Sequence, residues 1–222
     1  CDLLLASSEV LCRKMNKIAN QNKSILVRNG TDIKAVEKVC EPQVKSDYSI
    51  GYIGTISHWF DYELIKESMR RINNVTYHLI GPNQAAEQPS VVYHGAVPHD
   101  QLRETVKDID CLIMPFVVNE IVTAVDPVKL YEYIAFGKCI ISVYYPELER
   151  FRDFVYFYES AEEYIELLED MIKKGFPPKY DSSRQKKFLE ENSWDLRYKV
   201  IRNKMKALEI NPYKVQERES IQ

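Results

Sequence analysis

The chain has 222 residues, 45% of them hydrophobic, with 33 acidic and 30 basic side chains and a formal net charge of -3. That length can bury one substantial core and allows one large or two small domains. The near-balanced charge gives no reason to invoke nucleic acid, no apolar run approaches the ~20 residues of a membrane span, and no charged-then-apolar leader is visible at the start.

In chain order, strand-like runs are predicted over residues 3–6, 24–27, 49–53, 75–80, 91–94, 111–114, 139–143 and 154–157. Most are continuously apolar, as strands covered on both faces read. Helical spacing lies between them at 8–19, 62–71, 99–106, 127–136 and 161–173, with two polar helices after the break "GFPPKYD", at 182–191 and 194–208. Strand alternating with helix predicts an α/β fold, a doubly wound parallel sheet of Rossmann-like type with extra C-terminal helices.

Four segments follow: a strand–helix–strand piece at 1–30, the main domain at 31–180, the terminal helices at 181–210 and a polar tail at 211–222. "RNGTD" is a turn signal, expected to lead into a short helix or linker. "CDLLLASS" begins abruptly inside an apolar run, which is expected of a piece of a longer protein. The five cysteines form no C-x-x-C pair, and Cys111 and Cys139 lie in apolar runs where a free thiol acts as a small hydrophobe. A reducing cytoplasm is the expected setting.

"DPVKLYEYIAFGKCIIS", residues 126–142, carries the chemistry. Pro127 fits the first helical position, where a missing N–H costs nothing, and Asp126 then reads as an N-cap. A helical wheel places Val128, Leu130, Tyr131, Ile134 and Ala135 toward the sheet, and Lys129, Glu132, Tyr133 and Phe136 away from it. The second set lies at the carboxyl end of the strands, where open α/β sheets bind ligands. A helix N-terminus plus Lys129 suits a phosphate, and Glu132 suits paired hydroxyls such as those of a ribose. On spacing alone, an ordinary exposed i,i+3 charge pair is the slightly better account. Upstream, Gly54 ends a buried strand and would let a backbone approach a phosphate. His58 and Trp59 follow it and are expected to pack the loop.

Taken in order, "RNGTD", "IGYIGTIS-WFD", "HLIGP", "VVYHGAVPHDQL", "DIDCLIMPF", "NE" and "PVKLYEYIAFGK" resemble the carboxyl-terminal half of GT-B glycosyltransferases of the retaining family 4 type, the "glycosyl transferases group 1". The resemblance covers roughly residues 1–209. It implies a half that binds a nucleotide-sugar donor such as a UDP- or GDP-sugar, while a separate amino-terminal half, missing here, holds the acceptor. By resemblance Glu132 matches the second Glu of the E-x7-E motif and holds the ribose. Lys129 meets the diphosphate together with Pro127 and Val128, Gly54 and Thr55 line its other side, and the backbone at Ala96 and Val97 reads the base. Ala124 stands where the strict motif has its first Glu; Glu120 of "NE" resembles the acid of family members with a longer loop and is expected, in preference to Asp126, as the catalytic acid on the sugar hydroxyls. "TISHW" stands where many members carry Arg and Lys.

The expected function is therefore donor binding for sugar transfer to a hydroxyl acceptor, in polysaccharide or glycan biosynthesis. No cofactor and no metal site are expected: "DID" at 108–110 reads as a turn into a buried strand. Nucleic acid is not an expected partner; peripheral contact with the inner face of the membrane, through the missing half, is. The rival reading is a non-catalytic GT-B-like binding module, and a GT-B nucleotide-sugar epimerase fits less well.

Overall fold

In a computed structural model of the chain, residues 1–32, 36–83, 88 and 91–208 are described. The polar tail and part of the segment after "RNGTD" therefore lie outside the described residues, while residues 36–46 carry no helix or strand. Among the described residues no helix is long and apolar enough to cross a membrane.

The chain opens with a small unit: β1 (Leu4–Ala6), α1 (Glu9–Ala19) and β2 (Ser24–Leu26), its two strands parallel with Leu4 opposite Ser24. Ser8 caps α1 by accepting from the Leu11 N–H at 3.2 Å, satisfying one of the donors a helix start leaves unpaired. Asn20 ends it in the left-handed conformation, φ 49°. This two-stranded sheet is separate from the main one.

The main sheet is built from β3 (Tyr48–Ile53), β4 (Val75–Ile80), β5 (Val91–Gly95), β6 (Cys111–Met114), β7 (Cys139–Val143) and β8 (Tyr156–Tyr158). Its order is β5-β4-β3-β6-β7-β8, and every pairing is parallel. The order reverses between β3 and β6, which makes a topological switch point and sends the two sets of right-handed crossovers to opposite faces. β6 and β7 are buried at every position, which is why they read as almost wholly apolar, with Ser142 the polar residue among them. Cys111 and Cys139 are opposite each other there, both buried free thiols.

The helices are α2 (Tyr62–Arg71), α3 (Leu102–Thr105), α4 (Val128–Ala135), α5 (Ala161–Lys174), α6 (Ser182–Glu191) and α7 (Trp194–Ala207). α2 and α5 are neighbours: the Tyr77 hydroxyl meets Ser68 Oγ at 2.7 Å and the Tyr164 hydroxyl at 3.0 Å, and Arg71 pairs with Glu162. α6 packs on α4 through Gln185, whose amide donates to the Ile134 carbonyl at 2.7 Å. Each predicted run becomes an element with its ends unchanged or displaced by at most two residues, and the predicted 99–106 helix divides into a 3-10 turn at His99–Gln101 followed by α3.

α4 corrects two expectations. Val128 is exposed and Tyr133 is fully buried, the reverse of the wheel assignment. The Tyr133 hydroxyl donates to the Ile113 carbonyl at 3.3 Å and accepts from the Ile53 N–H at 3.0 Å. The β3–β6 ladder pairs only Ile50 with Cys111 and Gly51 with Leu112, so Tyr133 bridges the strands where the ladder has opened.

Asp126 is not the cap of α4 either. Helix α4 begins at Val128, one residue later than predicted, with Pro127 as its N-cap. The Asp126 carboxylate turns inward, where it pairs with Arg150 and accepts from the Asn29 N–H at 2.6 Å and the Tyr131 hydroxyl at 3.2 Å. Desolvated charges need such partners, and these lie far away in sequence.

Candidate functional site

The site is assembled at the carboxyl ends of β3, β4 and β5, each of which reaches a glycine. Gly54 donates to the Ile80 carbonyl at 2.8 Å, and Gly81 donates to the Gly95 carbonyl at 2.7 Å, which draws the three strand ends together. Gly54 has φ +138°, and a Cβ there would overlap Lys129 Cε and sit 2.7 Å from Nζ. Gly81 has φ +145°, and a Cβ there would lie 2.6 Å from the Gly54 carbonyl carbon. Neither position has space for a side chain.

Lys129, the second residue of α4, therefore lies across Gly54. Its ammonium also faces the rings of Tyr52 at 5.7 Å and Phe116 at 5.8 Å. Among the described residues no carboxylate is in ion-pair contact with it. Burial pushes its pKa below the usual lysine value, against a smaller opposing pull from the Glu132 charge. No side chain caps the start of α4; the Leu130 N–H bonds back to the Pro127 carbonyl at 3.3 Å, and the Val128 and Lys129 N–H groups at the helix start are uncapped beside the ammonium. A desolvated cation beside free amides favours an anion.

Glu132 follows one turn on, with 23% of its side chain exposed, and its Oε1 is 3.0 Å from Nε2 of His99. His99 belongs to the turn after β5, so this contact joins α4 to the loop that carries Ala96 and Val97. Ala96 is exposed, and Val97 packs partly against the core. Thr55 is half-buried, and its carbonyl accepts from the Tyr52 hydroxyl at 3.1 Å and from Trp59 Nε1 at 3.2 Å. Trp59 packs the loop as the sequence suggested; His58 is exposed and lies edge-on to Trp59.

The structure brings Gly54, Lys129, Glu132 and the 96–99 loop into one corner, with Pro127 and Val128 at its helix start. It does not bring Glu120 into contact with them. Glu120 has 85% of its side chain exposed and is paired with Lys14 of α1 at 2.7 Å, which holds its pKa below the usual carboxylate value. Sequence reading assigned no role to His99, Tyr52, Phe116 or Gly81. The signal available was a glycine just after β4 as well as β3, and an aromatic residue near the ends of β3 and β6, Tyr52 and Phe116.

Other clusters lie apart from this corner. Asp110 accepts from the Ser49 N–H at 3.0 Å and pairs with Lys45 at 2.5 Å, in the turn into β6 at the opposite end of the sheet. A cleft of about 470 Å³ lies there, lined by Lys38, Lys45, Lys107, Asp110 and Lys138. Its charges are occupied internally: Lys138 donates to the Lys107 carbonyl at 2.8 Å and Lys38 pairs with Glu41 at 2.9 Å. Among the described residues no three His, Cys, Asp or Glu side chains are grouped to hold a metal ion.

This strand order with its switch-point corner is the doubly wound Rossmann-like one, and the likenesses that follow show the fold to be that of the carboxyl-terminal half of GT-B glycosyltransferases. The chain is 24% identical over 185 residues to TuaH of Bacillus subtilis (strain 168), named as a teichuronic acid biosynthesis glycosyltransferase, matching 75% of this chain and 47% of TuaH. It thus spans about half the length of that curated relative.

Among solved structures it resembles HepE of Anabaena in complex with UDP and glucose, with TM-score 0.68, 13% identity, and coverage of 93% of this chain and 63% of HepE. It also resembles the sucrose-phosphate synthase of Thermosynechococcus elongatus, with TM-score 0.70, 11% identity and coverage of 94% and 58%. The lipopolysaccharide outer core galactosyltransferase WaaB gives TM-score 0.67, 16% identity and coverage of 93% and 62%. No protein-family model matches the chain.

Proposed function

We propose that this chain binds the nucleotide-sugar donor of a retaining glycosyltransferase that moves a sugar from a nucleoside diphosphate to a hydroxyl acceptor in polysaccharide or glycan synthesis. The observation that carries the reading is Lys129: a desolvated ammonium with no carboxylate in ion-pair contact among the described residues, laid over Gly54 beside an uncapped helix start. In this reading the diphosphate lies against Lys129, the first turn of α4 and the backbone at Gly54 and Thr55. Glu132 accepts from the ribose hydroxyls, and the backbone at Ala96 and Val97 faces the base. The same cation and amides stabilise the charge that develops on the leaving diphosphate, the electrostatic contribution such a site can make to transfer. Glu120, on the sugar hydroxyls in this reading, is paired with Lys14 in the free chain.

The acceptor is held by a second domain outside this chain, and the chain alone transfers no sugar. The UDP and glucose held by HepE and the glycosyltransferase name of TuaH support the donor assignment. The Lys14–Glu120 pair and the absence of Arg or Lys in "TISHW" favour, as a second reading, a module that binds without catalysing. A thermal-shift panel of UDP, GDP, ADP and their sugars tests the first step. At least one nucleoside diphosphate should raise the melting temperature, and no shift with any of them removes the proposal.

A further inference from the structure

His99 lies in the turn between β5 and β6, whereas Glu132 lies on α4, between β6 and β7, so their 3.0 Å contact joins two separate crossovers across the corner. The pair cannot be explained by stability: His99 has 81% of its side chain exposed, and exposed ion pairs contribute little. What the contact does fix is direction. A glutamate on a helix surface has several free torsions, and a carboxylate has two oxygens able to accept from several donors. With one site of Oε1 engaged by His99, Oε2 and the remaining lone pair of Oε1 are left for a ligand, in an orientation already set before the ligand arrives.

We propose that His99 is a positioning residue: it holds the Glu132 carboxylate in the pose that accepts both hydroxyls of a ribose, so that the chain distinguishes ribonucleotides from deoxyribonucleotides through this pair. The inference rests on the reading of Glu132 as the ribose acceptor. His99 makes no contact with the nucleotide itself. Its effect passes through Glu132 and is confined to the sugar hydroxyls.

The test is calorimetric titration of UDP, GDP and ADP and their 2′-deoxy forms into the wild-type chain, His99→Ala, His99→Gln, Glu132→Gln and the double variant His99→Ala/Glu132→Gln. The wild type should favour the ribose form about tenfold, the loss that follows one hydrogen bond to a charged group. His99→Ala should lower that ratio about threefold, and His99→Gln, whose amide still donates to Glu132, should keep most of it. In the Glu132→Gln background, His99→Ala should change nothing further.

A wild-type ratio in His99→Ala, an equal loss for both sugars, or tighter binding because His99 had been competing for Glu132 would each overturn the inference. The outcomes also separate it from its basis. If Glu132→Gln keeps the ratio, the ribose reading fails. If Glu132→Gln loses the ratio while His99→Ala keeps it, only the role of His99 fails. If none of the six nucleotides binds, both the proposed function and this inference are wrong.

Discussion

At Gly54 the missing side chain is what allows Lys129 to reach across the end of β3. Gly54→Ala would force a Cβ into that path at φ +138°. We expect it to destabilise the fold by about 1–3 kcal/mol from backbone strain and to weaken diphosphate binding by moving the ammonium. Thermal melts and a UDP titration measure the two effects separately.

The lysine also makes a prediction for pH. Its pKa in the fold is lowered from 10.5 by burial, so between the lowered value and 10.5 the unfolded chain holds more protons. The contribution of Lys129 to stability therefore rises with pH across that window. Binding has the opposite dependence, because an anion favours the charged form. Diphosphate binding should take up a proton in the alkaline range and weaken as pH rises through it, which calorimetry in two buffers of different ionisation enthalpy detects. That Gly54, Lys129 and Glu132 lie at one end of the sheet was legible in the sequence, because a strand-ending glycine and a helix-opening lysine are local signals. His99 was not, since nothing local says that a turn after β5 meets α4.

Helix α4 shows how little periodicity fixes the direction of a short helix at the scale of an element. Its buried residues Leu130, Tyr131, Tyr133 and Ile134 fall on one arc of about 160° at ~100° per residue, and with only eight residues the expected face is turned away from that arc, which misplaces Tyr133 and Val128. Tyr133 packs inward because its hydroxyl has two backbone partners where the β3–β6 ladder opens. Tyr133→Phe keeps the packing but leaves a buried N–H and a carbonyl without that partner. It should cost about 1–3 kcal/mol, read from denaturant midpoints at unchanged slope. The strands themselves were almost fully legible, since a parallel strand buried on both faces shows as an unbroken apolar run.

For the whole molecule, the sequence reading separated residues 1–30 from the main domain but gave no sign of how they are joined. Asn29 bonds to Asp126, Arg28 to Glu147, and Thr31 bridges to Ser193 before α7. These contacts fix the "RNGTD" turn between the start of α4 and the α6–α7 junction, and their partners lie 97, 119 and 162 positions away, beyond the reach of any local pattern. Asp126→Ala would leave Arg150 without its carboxylate. It should cost about 3 kcal/mol, the lower end for a broken buried pair, because Arg150 keeps 21% of its side chain exposed. Urea unfolding of the variant measures the loss.

The central claim is that the corner formed by Gly54, Lys129 and the start of α4 holds a nucleoside diphosphate. The direct measurement is calorimetric titration of UDP and UMP into the wild-type chain and Lys129→Ala, with GDP and GMP or ADP and AMP if the thermal-shift panel favours another base. We predict tighter binding of the diphosphate by the wild type. The variant should lose about 1.5–3 kcal/mol toward the diphosphate, the range for hydrogen bonds to charged groups, and little toward the monophosphate. Equal affinity for the two nucleotides, or an unchanged diphosphate affinity in Lys129→Ala, would contradict the account.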